Sequence, residues 1–379
     1  MSNTEKCEIA AKLSQQFFKE ARFTVIIINY IPIPLIANNN RRGDNLDKNN
    51  LKLTSSEIGT LWGEYVNGTM TDVVNRYMFS IIEDESIKTI FEDAIKTFGK
   101  QKKKIAAFME NEGFPVPIGF TESDLNKGTE RLFSDIFCLN YLHIMTLHGM
   151  LGHTTALGVS VREDLRFFYD SCDNDGKRMF HQTIDLLLEK GNFQRDPLFY
   201  PAKNPEFISS QDFTDGIFGK GRRLSATEII SISFNLKKSI MAKTLSIAFS
   251  QVTQTKEVRK FLENSEKTAD GQIQSLSKIM HKDNLPVPMS WETEVTTSTD
   301  SPFSDKLMLY HIGFLYQAAQ AYNGTGLASA MRTDLVAIYE SVILKNLMVT
   351  KEWFNLMMQN KWLEQPPLAP NRKEIAKEE

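Results

Sequence analysis

The stretch FSDIFCLNYLHIMTLHGMLGHTTALGVSVREDL, Phe133 to Leu165, returns in altered form as FSDKLMLYHIGFLYQAAQAYNGTGLASAMRTDL, Phe303 to Leu335. Both versions open with Phe-Ser-Asp and close with Arg-x-Asp-Leu around a helical, apolar, glycine-interrupted run. Such a chain is a tandem duplication, and whatever one copy folds into, the other must approximate. At 379 residues each copy is long enough to bury a core of its own.

The first copy opens with Leu53-Thr54-Ser55-Ser56-Glu57, where Thr54 and Glu57 stand at the spacing of a capping box. A helix is expected from there to about Ser80, with Ile58, Leu61, Tyr65, Val73 and Tyr77 on its inward stripe. A second runs from about Asp84 to Glu112 on Ile87, Phe91, Ile95, Phe98, Ile105 and Phe108. Phe114-Pro115-Val116-Pro117 stops it, because each proline disfavours the helical basin of the residue before it. Residues 113 to 131 lack clear periodicity and suit a crossover connection along a bundle. Ser134 or Asp135 caps a third helix, weakened by Gly149, Gly152 and Gly158. A fourth helical run covers about 157 to 190, with an interruption at Asp173-Asn174-Asp175-Gly176 and a Gly191 C-cap. Whether 152 to 158 is a kink or a turn stays open from this copy alone.

In the second copy Leu224 aligns with Leu53, Pro286 with Pro115 and Phe303 with Phe133, so the offset falls from 171 to 170 between the last two pairs. Ser225 and Glu228 repeat the capping box, and Leu285-Pro286-Val287-Pro288 repeats the stop. Asn323-Gly324-Thr325-Gly326 falls at the open break and favours a real turn. Strand signals in the copies are sparse. The expected fold is all-α: two tandem four-helix bundles packed as a pseudo-dimer, the fusion replacing a homodimer with its isologous contact. The expected divisions are 1–49, an N-terminal extension and linker; 50–208, the first bundle; and 209–379, the second bundle with a charged tail. Within the extension, residues 1–22 suit a short amphipathic helix on Ile9, Leu13 and Phe17. Residues 23–36, with Pro32 and Pro34, suit an extended arm rather than a helix. A signal peptide is disfavoured because a small-x-small cleavage site is missing.

FPVPIGF with FSD downstream, then PVP, STDSPFSDKLMLYH, Arg-x-Asp-Leu and WLEQPP, together resemble the family grouped as domain of unknown function 3231. The resemblance runs from about Leu53 to Arg372. It implies a ferritin-like helical bundle, in one or two copies, from an endospore-forming bacterium, with some relatives linked to a spore coat protein. It implies no mechanism, because the family has no established activity.

A ferritin-like bundle raises the question of a di-metal carboxylate site, which needs paired Glu-x-x-His segments. Glu-x-x-His is absent from the whole sequence. His143, His148 and His153 are five residues apart, roughly 140° around a helix, so they cannot chelate one ion from one regular helix. The metal candidates (Fe, Mn or Zn) therefore reduce to Glu64 with His143, in the first copy only, since Glu64 aligns with Asn235 and His143 with Gly313. None of the six histidines recurs between copies. What recurs is Glu57/Glu228, Asp135/Asp305, Arg162/Arg332, Asp164/Asp334 and Tyr169/Tyr339. Arg162, Asp164, Arg332, Asp334, Asp135 and Asp305 are expected to form structural ion pairs, Arg162 with Asp135 or with a carboxylate of the other copy.

Other chemistry finds little support. A nucleophile elbow is missing, and Cys138 and Cys172 have no histidine within helical reach. Gly216 to Gly221 lacks phosphate-loop spacing and reads as linker. The net charge of −3 and the short run Lys102-Lys103-Lys104 argue against nucleic acid. Three unpaired-looking cysteines suit a reducing compartment. No apolar run is long enough to span a membrane. The resulting expectation is a non-enzymatic structural or interaction protein, cytoplasmic or carried to the forespore or spore coat. Protein partners or self-association are expected. The alternatives are the metal-binding bundle or a small apolar ligand held between helices.

Overall fold

The computed structural model describes residues 51–216 and 221–375; the amphipathic and proline-rich segments expected before residue 50 lie outside them. Eight long helices make up two similar halves. The first half holds α1 (Ser55–Ile81), α2 (Glu85–Asn111), α3 (Asp135–Val159) and α4 (Glu163–Glu189). The second holds α5 (Ala226–Val252), α6 (Lys256–Lys282), α7 (Asp305–Ser329) and α8 (Thr333–Gln359), followed by the single turn α9 (Arg372–Ile375). Among the described residues the β-structure is confined to isolated bridges.

Local chemistry sets the ends. Thr54 and Ser225 close capping boxes with Glu57 and Glu228. Asp84 accepts the amides of Ser86 and Ile87 at the start of α2. Ser134 and Ser304 cap α3 and α7, each such cap contributing about 1 kcal/mol. Gly191 takes φ +68° just past α4, the left-handed conformation that favours glycine.

Two expected breaks are corrected. α3 and α7 run unbroken through 152–158 and 323–326, and the turns come later, at 160–162 and 330–332. α4 likewise continues through Asp173 to Gly176. The glycines do not break these helices, and two of them admit side chains from neighbouring helices. A Cβ on Gly326 would stand 2.5 Å from the Tyr339 ring, and one on Gly176 2.8 Å from Met150 Cγ. Asp173 is held by Lys177 one turn on. On α2, Ile90, Ala94 and Met109 are buried, whereas Ile95 and Phe108 stay half-buried.

Each half is a square of four helices: α1 packs on α2 and α3, and α4 on α3 and α2, with α5 to α8 repeating the pattern. α1 and α4 run one way, α2 and α3 the other. The Asp135 carboxylate at the start of α3 accepts the Asp84 amide (2.8 Å) at the start of α2, and Glu57 at the start of α1 reaches the α3–α4 turn. The crossovers before α3 and α7 therefore run back along their bundles.

Those two crossovers clasp each other. Leu125 bridges Phe303 and Phe133 bridges Val295; the second pairing is the first with the copies exchanged. The same exchange relates Ser304 N→Asp124 O (3.0 Å) to Ser134 N→Glu294 O (3.0 Å). It also relates Ser304 Oγ→Asp124 (2.7 Å) to Ser134 Oγ→Glu294. Beyond the clasp, Gln194 reaches Val287 and Met289 in the second half, while its counterpart Glu364 accepts from Ile118 and Gly119 in the first. Tyr141 and His311, which are aligned positions, touch one another (3.4 Å). Aligned residues meet only at a symmetry axis, so a pseudo-two-fold passes between α3 and α7. The described residues accordingly form one compact unit. Its main core draws on both halves, from Tyr77, Phe91 and Phe137 to Phe249, Phe261 and Trp353. Smaller clusters, around Leu61 and Tyr169 and around Ile232 and Tyr339, fill the far ends of the two bundles.

Candidate functional site

The recurring carboxylates and arginines build one device twice. In the first half Glu57 accepts the amides of Thr54, Val161 and Arg162. Burial alone would raise its pKa, but these amides hold it below the ordinary range. Arg162 is bidentate to Asp164 (3.0 and 2.6 Å) and bonds Glu112 (2.8 Å). In the second half Arg332 is bidentate to Asp334 (3.0 and 2.6 Å), near Asp283 (3.6 Å), and its guanidinium is fully buried. Glu228 there gains Arg222 as a partner; despite its burial, Arg222 and Ser225 pull its pKa down to about 2. Each assembly pins the α3–α4 or α7–α8 turn to the start of its bundle's first helix. The expected contact of Arg162 with Asp135 is corrected: Asp135 pairs with Arg131 and accepts the Glu83 and Asp84 amides. Asp305 does the equivalent for Gln254 and Thr255.

The metal candidates separate. His143 bonds Thr183 through Nδ1 (3.0 Å) and packs on Phe180 and Phe193. Burial, helped by the charges of Lys238 and Lys237, lowers its pKa to about 4, so it is neutral. The aligned pair in the second half is Gly313 with Trp353, whose ring passes over the glycine. A hydrogen-bonded pair and a size-swapped pair thus fill matching space, which is what core packing requires. Glu64 instead stands beside His153 (Oε2 to Nε2, 3.6 Å), ten residues or about 15 Å along α3 from His143. No third ligand joins them: no group of three His, Cys, Asp or Glu placed to hold a metal ion occurs among the described residues.

Glu64 and His153 do share a cavity. It measures about 210 Å³, lies among the four helices of the first half and is closed on one side by Phe314 of α7. Burial pushes the Glu64 pKa up to about 7. Burial lowers that of His153, against the pull of Asp173 and Asp175. The Cys172 thiol, also on the wall, is pushed up to about 12 by burial and by Glu64, which leaves it a thiol rather than a nucleophile. His148, 8% exposed, has no hydrogen-bond partner at either ring nitrogen, and neither has Asn75 Oδ1. Burial together with Lys238 and His311 holds His148 neutral.

Sequence reasoning placed Glu64, but missed Asn75 and the small residues that open the cavity. A signal was present in the alignment of the copies. Gly152 and Gly176 line the first-half space, and Tyr322 and Asn346 stand at the aligned positions. The matching space in the second half is about 10 Å³.

A second asymmetry lies on the surface. The solvent-facing side of α8 exposes Leu344, Leu347, Met348, Phe354 and Met358. The residues aligned with the first three are Asn174, Lys177 and Arg178 on α4. The five α8 residues fall within one arc of about 120°, opposite the buried stripe of Val342, Val349 and Trp353.

Among the described residues no helix is long and apolar enough to cross a membrane. Residues 41–204 and 212–375 each match the family described as "Protein of unknown function (DUF3231)". Among solved structures, one from Bacillus halodurans C-125, described as a "putative spore coat protein", is similar at 16% identity and a TM-score of 0.37. The match covers 41% of this chain and 100% of that one. None of the curated proteins matches the sequence.

Proposed function

We propose that this chain, which belongs to the DUF3231 family through two tandem copies, is a structural or interaction protein whose second copy carries the partner-binding surface. One observation carries the reading: α8 presents Leu344, Leu347, Met348, Phe354 and Met358 to solvent where the first copy presents polar and charged side chains at the three leading positions. Five exposed large apolar side chains set around Lys351 and Asn355, on a helix whose opposite side already fills the core, suit an association surface. Duplication leaves one copy free to drift at its surface while the core positions stay constrained. The recurring charged residues support the same reading, because they fasten turns and helix ends. The proposed setting is the spore of an endospore-forming bacterium, with association at the coat, which is what the family resemblance implies.

The test is localisation of the tagged full-length protein in a sporulating host. The wild type is expected on forespores or mature spores, and a Leu344→Asp, Met348→Asp double variant is expected to lose that association while keeping the wild-type helical circular dichroism. A wild-type protein that stays dispersed through the mother cell defeats the spore setting. A double variant that localises like the wild type defeats the assignment to α8.

A further inference from the structure

The first-half cavity has a chemical character that interaction through α8 does not explain. Its wall includes two carboxylates, Glu64 and Asp175, and neither lysine nor arginine. Asp175 is satisfied at the surface by Arg178 (3.3 Å). Glu64, its side chain 23% exposed, has only the His153 ring beside it, and burial lowers the pKa of that ring. A carboxylate drawn out of water without a cationic partner is costly, and a protein relieves the cost by protonation or by admitting a cation.

Two unsatisfied groups line the same cavity farther along α1 and α3. Asn75 Oδ1 is an acceptor only, and a neutral His148 ring offers one acceptor nitrogen. Leaving such buried groups unpaired costs roughly 1–3 kcal/mol each. The wall also carries the neutral polar side chains of Asn67, Thr71, Thr97, Gln101 and Thr146, and the rest includes Phe98, Leu142, Phe168, Tyr169 and Met179, whose aromatic faces attract cations.

The space is not a defect inherent in the fold. The second half closes it with Tyr322 and Asn346 and replaces Glu64 with Asn235, which bonds Ser231 and Tyr322 carbonyls (2.9 and 3.3 Å). The acid and the room for a guest occur in the same copy and are both absent from the other, as expected if they serve one purpose.

We propose that the first-half cavity binds a small organic amine with an apolar body, its ammonium paired with Glu64. Binding is non-covalent, and the second copy takes no part beyond Phe314 at the wall.

Benzylamine, benzyl alcohol and benzoate, which share a ring and differ in charge, discriminate this chemistry when titrated into the full-length protein by calorimetry at pH 8. One benzylamine per chain is expected, bound at least tenfold more tightly than either of the others. Glu64→Gln should weaken benzylamine at least tenfold and leave benzyl alcohol within about twofold. A Gly149→Leu variant serves as a second probe: a Cβ there meets only His153 Cε1, at 3.8 Å. It should block all three probes while melting as cooperatively as the wild type. No saturable benzylamine binding to the wild type, equal binding of the three probes, or undiminished binding to Glu64→Gln would each overturn the proposal.

Discussion

At the scale of single residues, the buried titratable groups give the protein opposing pH dependences. His143 and His311 titrate near 4 and 3 because burial disfavours the imidazolium, and His148 lies well below its ordinary value. A histidine lowered in the folded state contributes stability that is complete above its unfolded pKa, near 6.5, and is lost as pH falls towards 4. Glu64, raised to about 7, acts in the other direction. Its folded state binds the proton more tightly, so its contribution is complete below the unfolded value of about 4.5 and is lost as pH rises through 7. Urea midpoints measured from pH 4 to pH 8.5 should therefore fall steeply below pH 6 in wild type and Glu64→Gln alike. Above pH 7 Glu64→Gln should be the more stable by on the order of 1–3 kcal/mol, and near pH 4.5 the two should converge. Glu64 was readable in the sequence as the odd acid of its helix, absent from the second copy. Its partner was not: His143, His148 and His153 are equivalent as letters, and only the rotation and rise of α3 bring His153 rather than His143 to it.

The helices themselves were legible wherever the signal was local. Capping boxes, proline stops and the Gly191 terminus depend on residues within one turn of each other, and they appear where the pattern puts them. The glycine-rich segments misled because glycine has two uses in a helix, as a terminator and as a place where another helix comes close. The decision rests with a distant residue that no local window contains. Two substitutions separate the uses. Gly158, where an added Cβ would meet nothing within 4 Å, should tolerate alanine with a gain of roughly 0.5–1 kcal/mol from helix propensity alone. Gly326, whose Cβ would meet the Tyr339 ring at 2.5 Å, should lose stability on the same change, by about 1–3 kcal/mol from overpacking. Thermal unfolding of the two variants measures both signs. The cavity escaped the same way: it arises from paired changes in size, Gly152 against Tyr322 and Gly176 against Asn346, that show only when the two copies are aligned and the distant neighbours of each position are known.

For the molecule as a whole, the duplication and the pseudo-dimeric packing of its copies were legible in the sequence, whereas the faces that meet were not, because no repeat encodes which face meets its twin. The shared core of Phe137, Phe249, Phe303 and Trp353 couples the halves, so 51–375 should unfold in one step. Trp291, Trp353 and Trp362 lie in the second half and Trp62 alone in the first. Tryptophan fluorescence therefore reports mainly on one half and circular dichroism on both. Coincident urea transitions are expected, and a dichroism curve in two steps would show that the halves melt separately. The reciprocal clasp also bears on behaviour in a crowd. The bonds that Ser304 donates to Asp124 and Ser134 donates to Glu294 can form equally well between neighbouring molecules. What favours the internal match is the tether between α4 and α5, which supplies an effective concentration of about millimolar order. The Tyr141–His311 contact further prefers unlike copies over like ones. In dilute solution the tether should keep each chain closed on itself. Where molecules are packed to comparable density, an opened chain offers its first copy to one neighbour and its second to another, and strand-like head-to-tail assembly competes with closure using no surface that the monomer does not already possess.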